Sequence, residues 1–296
     1  MGGPALLVID IPHDAERAAE KTLDKAIELL ADLESRYSRY QPTSLISNIN
    51  NCAGSGRFTE LDTETKALFD LAGQLWRESE GLFDITSGPL RHAWCFQVGA
   101  HAAPDRISYL LDSVGYDLIE WCEDSCHLSK AGMEVDLGGI AKEFAVDSVA
   151  DLLRNEGITS GLIELAGDIS VIGRQGDGLP WKIGIRDPGA PGSLCTVNLA
   201  DAALATSGNY ARTMTHNGKK YGHLLDPRSG WPVEGPDSVS VIDTHCLTAG
   251  AVATVACLKN QSSALDWLSE SELPWLLCNI DEQPIGPIAK SFLAAN

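Results

Sequence analysis

The order in which the chain changes its hydrophobic period constrains its fold more than any other feature. Ala5–Ile11 is a short apolar run that predicts a strand. Asp14–Arg36 then carries Leu23, Ile27, Leu30 and Leu33 at helical spacing with charges elsewhere. Thr63–Glu80 repeats that logic with Leu68, Leu71, Ala72 and Leu75, and Gly81 supplies a stop. Gly139–Glu156 is a third predicted helix, ended by Gly157. After it come short apolar or alternating stretches separated by Gly, Pro and Asp: Leu162–Ile172, Trp181–Arg186, Thr196–Leu199 and Ser238–Ile242. Leu247–Leu258 is apolar nearly all round, which predicts a buried helix. Ser262–Glu270 predicts a short helix and Trp275–Ile280 a last strand. A doubly wound parallel sheet needs regular strand–helix alternation, which is missing. The expectation is therefore an α+β fold. No Pro/Gly/Ser linker divides the chain, so residues 1–296 are expected to form a single compact unit with two lobes sharing one core.

Charge narrows the partners. The formal net charge is -19, which repels nucleic acid and anionic membrane. A phosphate ester bound by such a chain needs helix N-termini, backbone N–H groups, a few cations or a metal to overcome the background field. Met1–Asp10 lacks a basic region and a long apolar core, and no apolar run approaches the roughly 20 residues that span a bilayer. A cytoplasmic location is the expectation. Of the eight cysteines, most sit singly in apolar stretches as small core residues. Cys122, Cys126 and His127 lie close together, but no second pair with zinc spacing follows, so reduced thiols are expected.

Five segments could carry chemistry. In Met133-Glu134-Val135-Asp136-Leu137-Gly138-Gly139-Ile140-Ala141-Lys142 a short strand delivers an acid, two glycines and a helix start bearing a lysine. Glycines admit close backbone approach and a helix N-terminus favours phosphate, although the same pattern serves as a flexible helix entry with a solvated lysine. In His223-Leu224-Leu225-Asp226-Pro227-Arg228-Ser229-Gly230 the Asp-Pro pair pre-sets a type I turn, and the histidine before it is a candidate base or a hydrogen-bonded structural residue. Gly81–Leu90 brackets Phe83 and Asp84 with glycines. Ala205-Thr206-Ser207-Gly208-Asn209-Tyr210 is a small-residue loop, and Ala166-Gly167-Asp168-Ile169 is strand-turn chemistry.

Taken together and in this order, these segments resemble the ApbE family, the FAD:protein FMN transferases. The resemblance also includes Met1-Gly2-Gly3, Tyr37–Ser44 and Asn50, and it runs to Ala249–Leu258, which is nearly the whole chain. It implies a T-fold-related architecture that lays FAD across a groove between two lobes. It also implies transfer of FMN, through its phosphate, to a threonine of an acceptor flavoprotein with release of AMP. Some members instead hydrolyse FAD to FMN and AMP, and a non-catalytic flavin-binding protein is the reading from a different class. The positions carried over are Met1 and Tyr40 at the flavin, and Leu82, Phe83 and Asp84 along the rest of FAD. Asp136 and Lys142 match binding residues, His223 a base, and Leu225 a neighbouring contact. The family's Mg²⁺ takes a carbonyl at the position of Gly139, a carboxylate at that of Gly250 and a hydroxyl at that of Thr254.

Three positions depart from that pattern. The usual Ala-Asp-Ala is Ala249-Gly250-Ala251, so the metal carboxylate is missing. The usual Gly-Gly-Asp begins with Ala166, and the glycine after the lysine is Glu143. A small divalent ion is normally held by one or two carboxylates plus phosphates, so metal binding is expected to be weak unless another acid, Asp243 or Glu143, substitutes. Gly250→Asp is expected to restore the charge with little conformational penalty, because an interior helix Gly costs about 1 kcal/mol against Ala.

Overall fold

The computed structural model describes residues 3–11, 16–96, 99–216 and 218–293. Its centre is a six-stranded sheet. The strands are β1 (Ala5–Ile9), β7 (Gly161–Leu165), β8 (Asp168–Ile172), β11 (Ala202–Gly208), β14 (Ser238–Asp243) and β15 (Trp275–Cys278), paired in that order. Every neighbouring pair is antiparallel. The α+β expectation holds, because an antiparallel sheet needs no crossover helix between strands.

Side chains alternate across this sheet into two apolar layers. Ile163, Leu165, Ala203, Ala205, Val239, Val241 and Leu277 face a large helical core, while Leu162, Ile169, Leu204, Leu276 and Cys278 face a second one. Burial on both faces explains why these strands lack a polar/apolar alternation in sequence. The helical layer contains α1 (Glu16–Tyr37), α2 (Leu45–Asn51), α3 (Thr63–Glu78), α5 (Ala141–Asn155), α6 (Cys246–Leu258) and α7 (Gln261–Glu270). The opposite face is covered by the hairpin of β9 (Trp181–Arg186) and β10 (Ser193–Leu199) and by α8 (Pro287–Leu293). A third small cluster joins α4 (Pro104–Leu111) to Trp94 of the β3/β4 ribbon (Trp94–Cys95 and Ala100–His101) and Met214 of the β12/β13 hairpin (Thr213–His216 and Lys219–Gly222). Strands β2 (Thr59–Glu60), β6 (Ser125–Leu128) and β5 (Ile119–Cys122) form a small antiparallel sheet beside α2.

The helix boundaries follow local chemistry. Asp62 caps α3 by accepting from the Thr65 N–H at 2.8 Å, and Glu80 and Gly81, both at positive φ, end it. Helix α6 is buried almost all round, as its composition predicts. The stretch expected as a single strand over Leu162–Ile172 is two strands, β7 and β8. Ala166 at φ 51° and Gly167 at φ 100° form a two-residue hairpin loop between Leu165 and its partner Asp168. The expected loop Ala205–Tyr210 is largely strand β11, in the middle of the sheet. No helix among the described residues is long and apolar enough to cross a membrane.

Candidate functional site

Asp136 is fixed from three directions. Its strand-like segment is clamped by Asn50, whose amide donates to the Val135 carbonyl at 3.0 Å and whose side-chain oxygen accepts from the Val135 N–H at 2.7 Å. The Asp136 N–H donates to the Ile85 carbonyl at 2.7 Å, which ties this segment to the one containing Phe83 and Asp84. Its carboxylate accepts from the Gly138 N–H at 3.0 Å and pairs with Arg39 at 3.1 Å. The Arg39 guanidinium in turn lies 4.9 Å from the Tyr40 ring centroid and donates to the Tyr40 hydroxyl at 2.9 Å. Tyr40 is 78% exposed, so its ring is offered to solvent beside the partly buried Arg39 guanidinium.

Arg39 is a residue that sequence reasoning did not single out, and its Nε is buried without a partner among the described residues. Arg91 and His92 stand next to it, both contacting Glu134. Burial, first, and then the charge of Arg39 push the Arg91 guanidinium down. Burial and the neighbouring Arg91, Arg106 and Arg39 do the same for the His92 imidazole. Arg39 and Arg91 thus bring two cations together beside Glu134 and Asp136 on a chain of charge -19.

The segment around Asp84 lies behind this group. Leu82 and Phe83 are buried, and the Phe83 ring lies 3.0 Å from where a Cβ on Gly139 would sit, so glycine at 139 is required by packing whatever else it does. Asp84 accepts from the Thr86 N–H and hydroxyl, each at 2.7 Å, and from the Tyr116 N–H at 3.0 Å. Burial nonetheless raises its pKa. These bonds make Asp84 the pin of its own loop. A cavity of about 510 Å³ opens between it and the Asp-Pro turn, lined by Trp76, Gly81, Asp84, Pro227 and Arg228.

The His223–Gly230 segment turns as its sequence predicts. The Asp226 carbonyl accepts from the Gly230 N–H at 2.7 Å, Gly230 takes φ 73°, and the Asp226 carboxylate holds Arg228 at 2.9 Å. Leu225 bridges Pro232. Asn209 is buried and orients the approach by accepting from the Leu224 N–H at 3.0 Å. The His223 Nδ1 is buried with no partner among the described residues, and burial followed by the nearby Arg212 lowers its pKa. His223 is therefore neutral near pH 7 and able to take up a proton.

Lys142, at the start of α5, is ion-paired rather than free. Its ammonium is ion-paired with Asp168 on β8, which is 1% exposed, and lies 3.4 Å from the Glu143 carboxylate. Asp168 also accepts from the Thr206 N–H at 3.1 Å. Three of the five sequence segments thus meet here, because β8 and β11 are neighbours in the sheet. Ser207 and Thr254 hydroxyls share a hydrogen bond of 2.7 Å close by. An apolar groove of about 570 Å³ leads from Lys142 between Gly3, Leu6, Leu23, Ile27 and Ala166.

Glu143 decides between the two candidate acids. A Cβ placed on Gly250 would collide with the Glu143 side chain, lying 3.1 Å from its Cδ and 3.2 Å from Oε1. The Glu143 carboxyl therefore occupies the volume that a side chain at 250 would fill. It is 4% exposed, its Oε2 has no partner among the described residues, and burial raises its pKa in spite of Lys142. One turn along α5, Asp147 accepts from the Cys246 and Leu247 N–H groups at 2.8 and 2.9 Å, which caps α6 from outside. Asp243 lies elsewhere: Ala203 is its strand partner, whereas Thr206 pairs with Ser240, three positions away or roughly 10 Å. A side chain at 250 requires Glu143 to move, a cost that the expectation of little conformational penalty for Gly250→Asp leaves out. Met1 lies outside the described residues, and no cluster of three or more His, Cys, Asp or Glu suited to a metal occurs among those described.

Comparison with known proteins adds to this geometry. Residues 2–277 match the profile of the ApbE family. The FAD:protein FMN transferase of Vibrio cholerae serotype O1 is 32% identical over 273 residues, 88% of this chain and 80% of that protein. The Haemophilus influenzae protein of the same name is 28% identical over 86% of this chain and 77% of its own length. Among solved structures, the ApbE protein of Thermotoga maritima superposes with a TM-score of 0.86 at 25% identity, covering 98% of this chain and 96% of that one. The flavin transferase ApbE from Vibrio cholerae gives 0.83, also at 25% identity, over 99% and 96%.

Proposed function

The chain belongs to the ApbE family, and from that premise we propose that it is an FAD:protein FMN transferase, moving FMN from FAD to a threonine of an acceptor flavoprotein and releasing AMP. The observation that carries this reading is the similarity to proteins of that name along almost the whole chain. The proposal treats residues 1–296 as one working unit in the cytoplasm.

In this reading the threonine oxygen forms a bond to the FMN phosphorus, and the bond between that phosphorus and the AMP oxygen breaks. The electron pair leaves with AMP and the threonine proton passes to a base. What supports His223 in that role is an Nδ1 with no partner among the described residues and a burial that lowers its pKa. Little covalent chemistry is asked of the protein beyond this. Positioning and charge neutralisation supply most of the catalysis in phosphoryl transfer. Arg39, Arg91 and Lys142 are the cations available for the diphosphate, and Lys142 reaches it by exchanging its pairing with Asp168. Tyr40, backed by Arg39, offers a ring for the flavin. Asp136 orients Arg39, while Leu82, Phe83, Asp84 and Leu225 shape the walls that FAD runs along.

The residues also fit a hard divalent ion such as Mg²⁺. The Glu143 Oε2, unpartnered among the described residues, the Thr254 hydroxyl and the Gly139 carbonyl are all oxygen donors of the preferred kind. When bound, such an ion neutralises charge that develops on the diphosphate.

The test is direct. Purified protein with FAD and Mg²⁺ should release AMP, and addition of an acceptor flavoprotein should convert that release into covalent flavin on the acceptor. Riboflavin, which lacks the diphosphate and AMP, should bind at least tenfold more weakly than FAD, a gap of ~1.4 kcal/mol. Equal affinity for the two, with no AMP formed, would overturn the assignment.

A further inference from the structure

Helices α5 and α6 face each other through two matched contacts. Asp147 meets the first turn of α6, and Glu143, one turn back along α5, meets Gly250, one turn further into α6. Thr254 follows Gly250 by a further turn on the same face, with Ser207 bonded to it. A carboxylate carried by position 143 thus enters the space that a side chain on position 250 would otherwise fill, and the glycine at 250 is what lets it in.

Ordinary packing does not account for a carboxylate there. Glu143 is nine-tenths buried, its Oε1 faces the position of a side chain at 250, and its Oε2 has no partner among the described residues. An ionised carboxylate is kept in a protein interior only when its charge and lone pairs are met. Among the described residues the cation beside it is Lys142, 3.4 Å from Oε1 and committed to the more deeply buried Asp168. Two carboxyl groups therefore share one ammonium.

We propose that Glu143 supplies the carboxylate ligand of a divalent-cation site that includes the Thr254 hydroxyl. The acid is carried on α5 rather than on α6, and Gly250 is its necessary counterpart. This deepens the flavin-transfer reading by naming the residue that holds the ion in this chain. With a cation held at Glu143, Lys142 beside it would be the residue to exchange its pairing with Asp168 for an incoming diphosphate.

Mn²⁺, a spin-active substitute for Mg²⁺, tests the site without FAD. Free Mn²⁺ is measured by electron paramagnetic resonance as the ion is titrated into the full chain. The parent should bind one ion. Glu143→Gln, isosteric and uncharged, should weaken binding by at least about tenfold, since even residues that only support a ligand cost that much. The exchanged pair Glu143→Gly with Gly250→Asp should bind within a few-fold of the parent, and Asp243→Asn should leave binding unchanged. Circular dichroism on each variant confirms that it is folded. Unchanged Mn²⁺ affinity in Glu143→Gln, or a parent that binds no ion while the exchanged pair does, would overturn the proposal and leave Glu143 as a packing wedge. FAD binding, followed separately by flavin fluorescence, keeps the two readings apart. Mn²⁺ bound through Glu143 with no FAD binding would sink only the transferase assignment, and AMP release with Mn²⁺ indifferent to Glu143→Gln would sink only this one.

Discussion

The Lys142 ammonium is ion-paired across the interface between α5 and the central sheet with the Asp168 carboxylate, which is 1% exposed. Removing one partner of such a pair costs ~3–5 kcal/mol when both are fully buried, and somewhat less here because Lys142 keeps 23% of its side chain exposed. Lys142→Ala should therefore lower stability by about 2 kcal/mol or more in a urea titration. Lys142→Met with Asp168→Asn should lose less than the sum of the single changes, with a coupling of roughly 0.5–3 kcal/mol. Full additivity would show that the pair does not exist in solution. Because Lys142 has a structural partner, its FAD affinity must be compared among variants shown to be folded.

Gly250→Ala should change sign with its background. In the parent the added methyl meets Glu143, and overpacking costs about 1–3 kcal/mol, which outweighs the roughly 1 kcal/mol gained in helix propensity. With Glu143→Gly already in place the same substitution should stabilise. Thermal unfolding of the four proteins measures both. A stabilising Gly250→Ala in the parent would mean that Glu143 points elsewhere.

His223 sets a pH dependence whose direction is fixed by its environment. Burial and Arg212 hold its folded pKa below the ordinary value of about 6.5. As pH falls through that window the unfolded chain binds a proton that the folded chain refuses, so the contribution to stability is lost on acidification and regained as pH rises. His223→Gln should flatten this part of the stability–pH curve. The acid limb of AMP release by the parent should likewise lie below about pH 6.5. A His223 resonance titrating above that value would contradict both.

Asp147 caps α6 with both carboxylate oxygens, although it belongs to another helix. Asp147→Ala should cost roughly 0.5–2 kcal/mol, the range for loss of a helix cap. Asp147→Asn, which retains one acceptor, should cost less. An Asn variant as damaged as the Ala variant would show that charge, rather than the hydrogen bonds, matters at this helix end.

Much of the fold was legible in the sequence because burial repeated the secondary-structure period. Helix α3 falls where its apolar stripe places it and helix α6 where its continuous apolar run does, and Gly81 and Gly157 take the positive φ that a helix stop requires. Strand β11 was not legible. Its Ala202-Ala203-Leu204-Ala205-Thr206-Ser207-Gly208 has little strand propensity of its own, and its pairing with β8 and β14 makes it a strand. The β7–β8 hairpin was hidden because Ala166 adopts a left-handed conformation that usually advertises itself with glycine. Within the site, Lys142, Asp136 and His223 could be singled out by local pattern. Arg39 could not, since its meaning comes from a contact with Asp136 far along the chain. The Tyr37–Ser44 segment that contains it was the available signal. Glu143 was visible as an acid in an unusual place, but only the packing of α5 on α6 assigns it to Gly250 rather than leaving Asp243 as its equal.

The contact between Glu143 and Gly250 also limits how such a chain can have arisen. With an acid on both helices the two side chains claim one volume, and with an acid on neither the volume is empty and uncharged. A lineage that moves the acid from one helix to the other must cross one of these two states. The crowded state strains the packing of α5 on α6 but keeps a negative charge near Thr254. The empty state folds easily and loses that charge. Positions 143 and 250 are therefore expected to be inherited as a pair, and a change at either one alone should be rare among close kin of this chain.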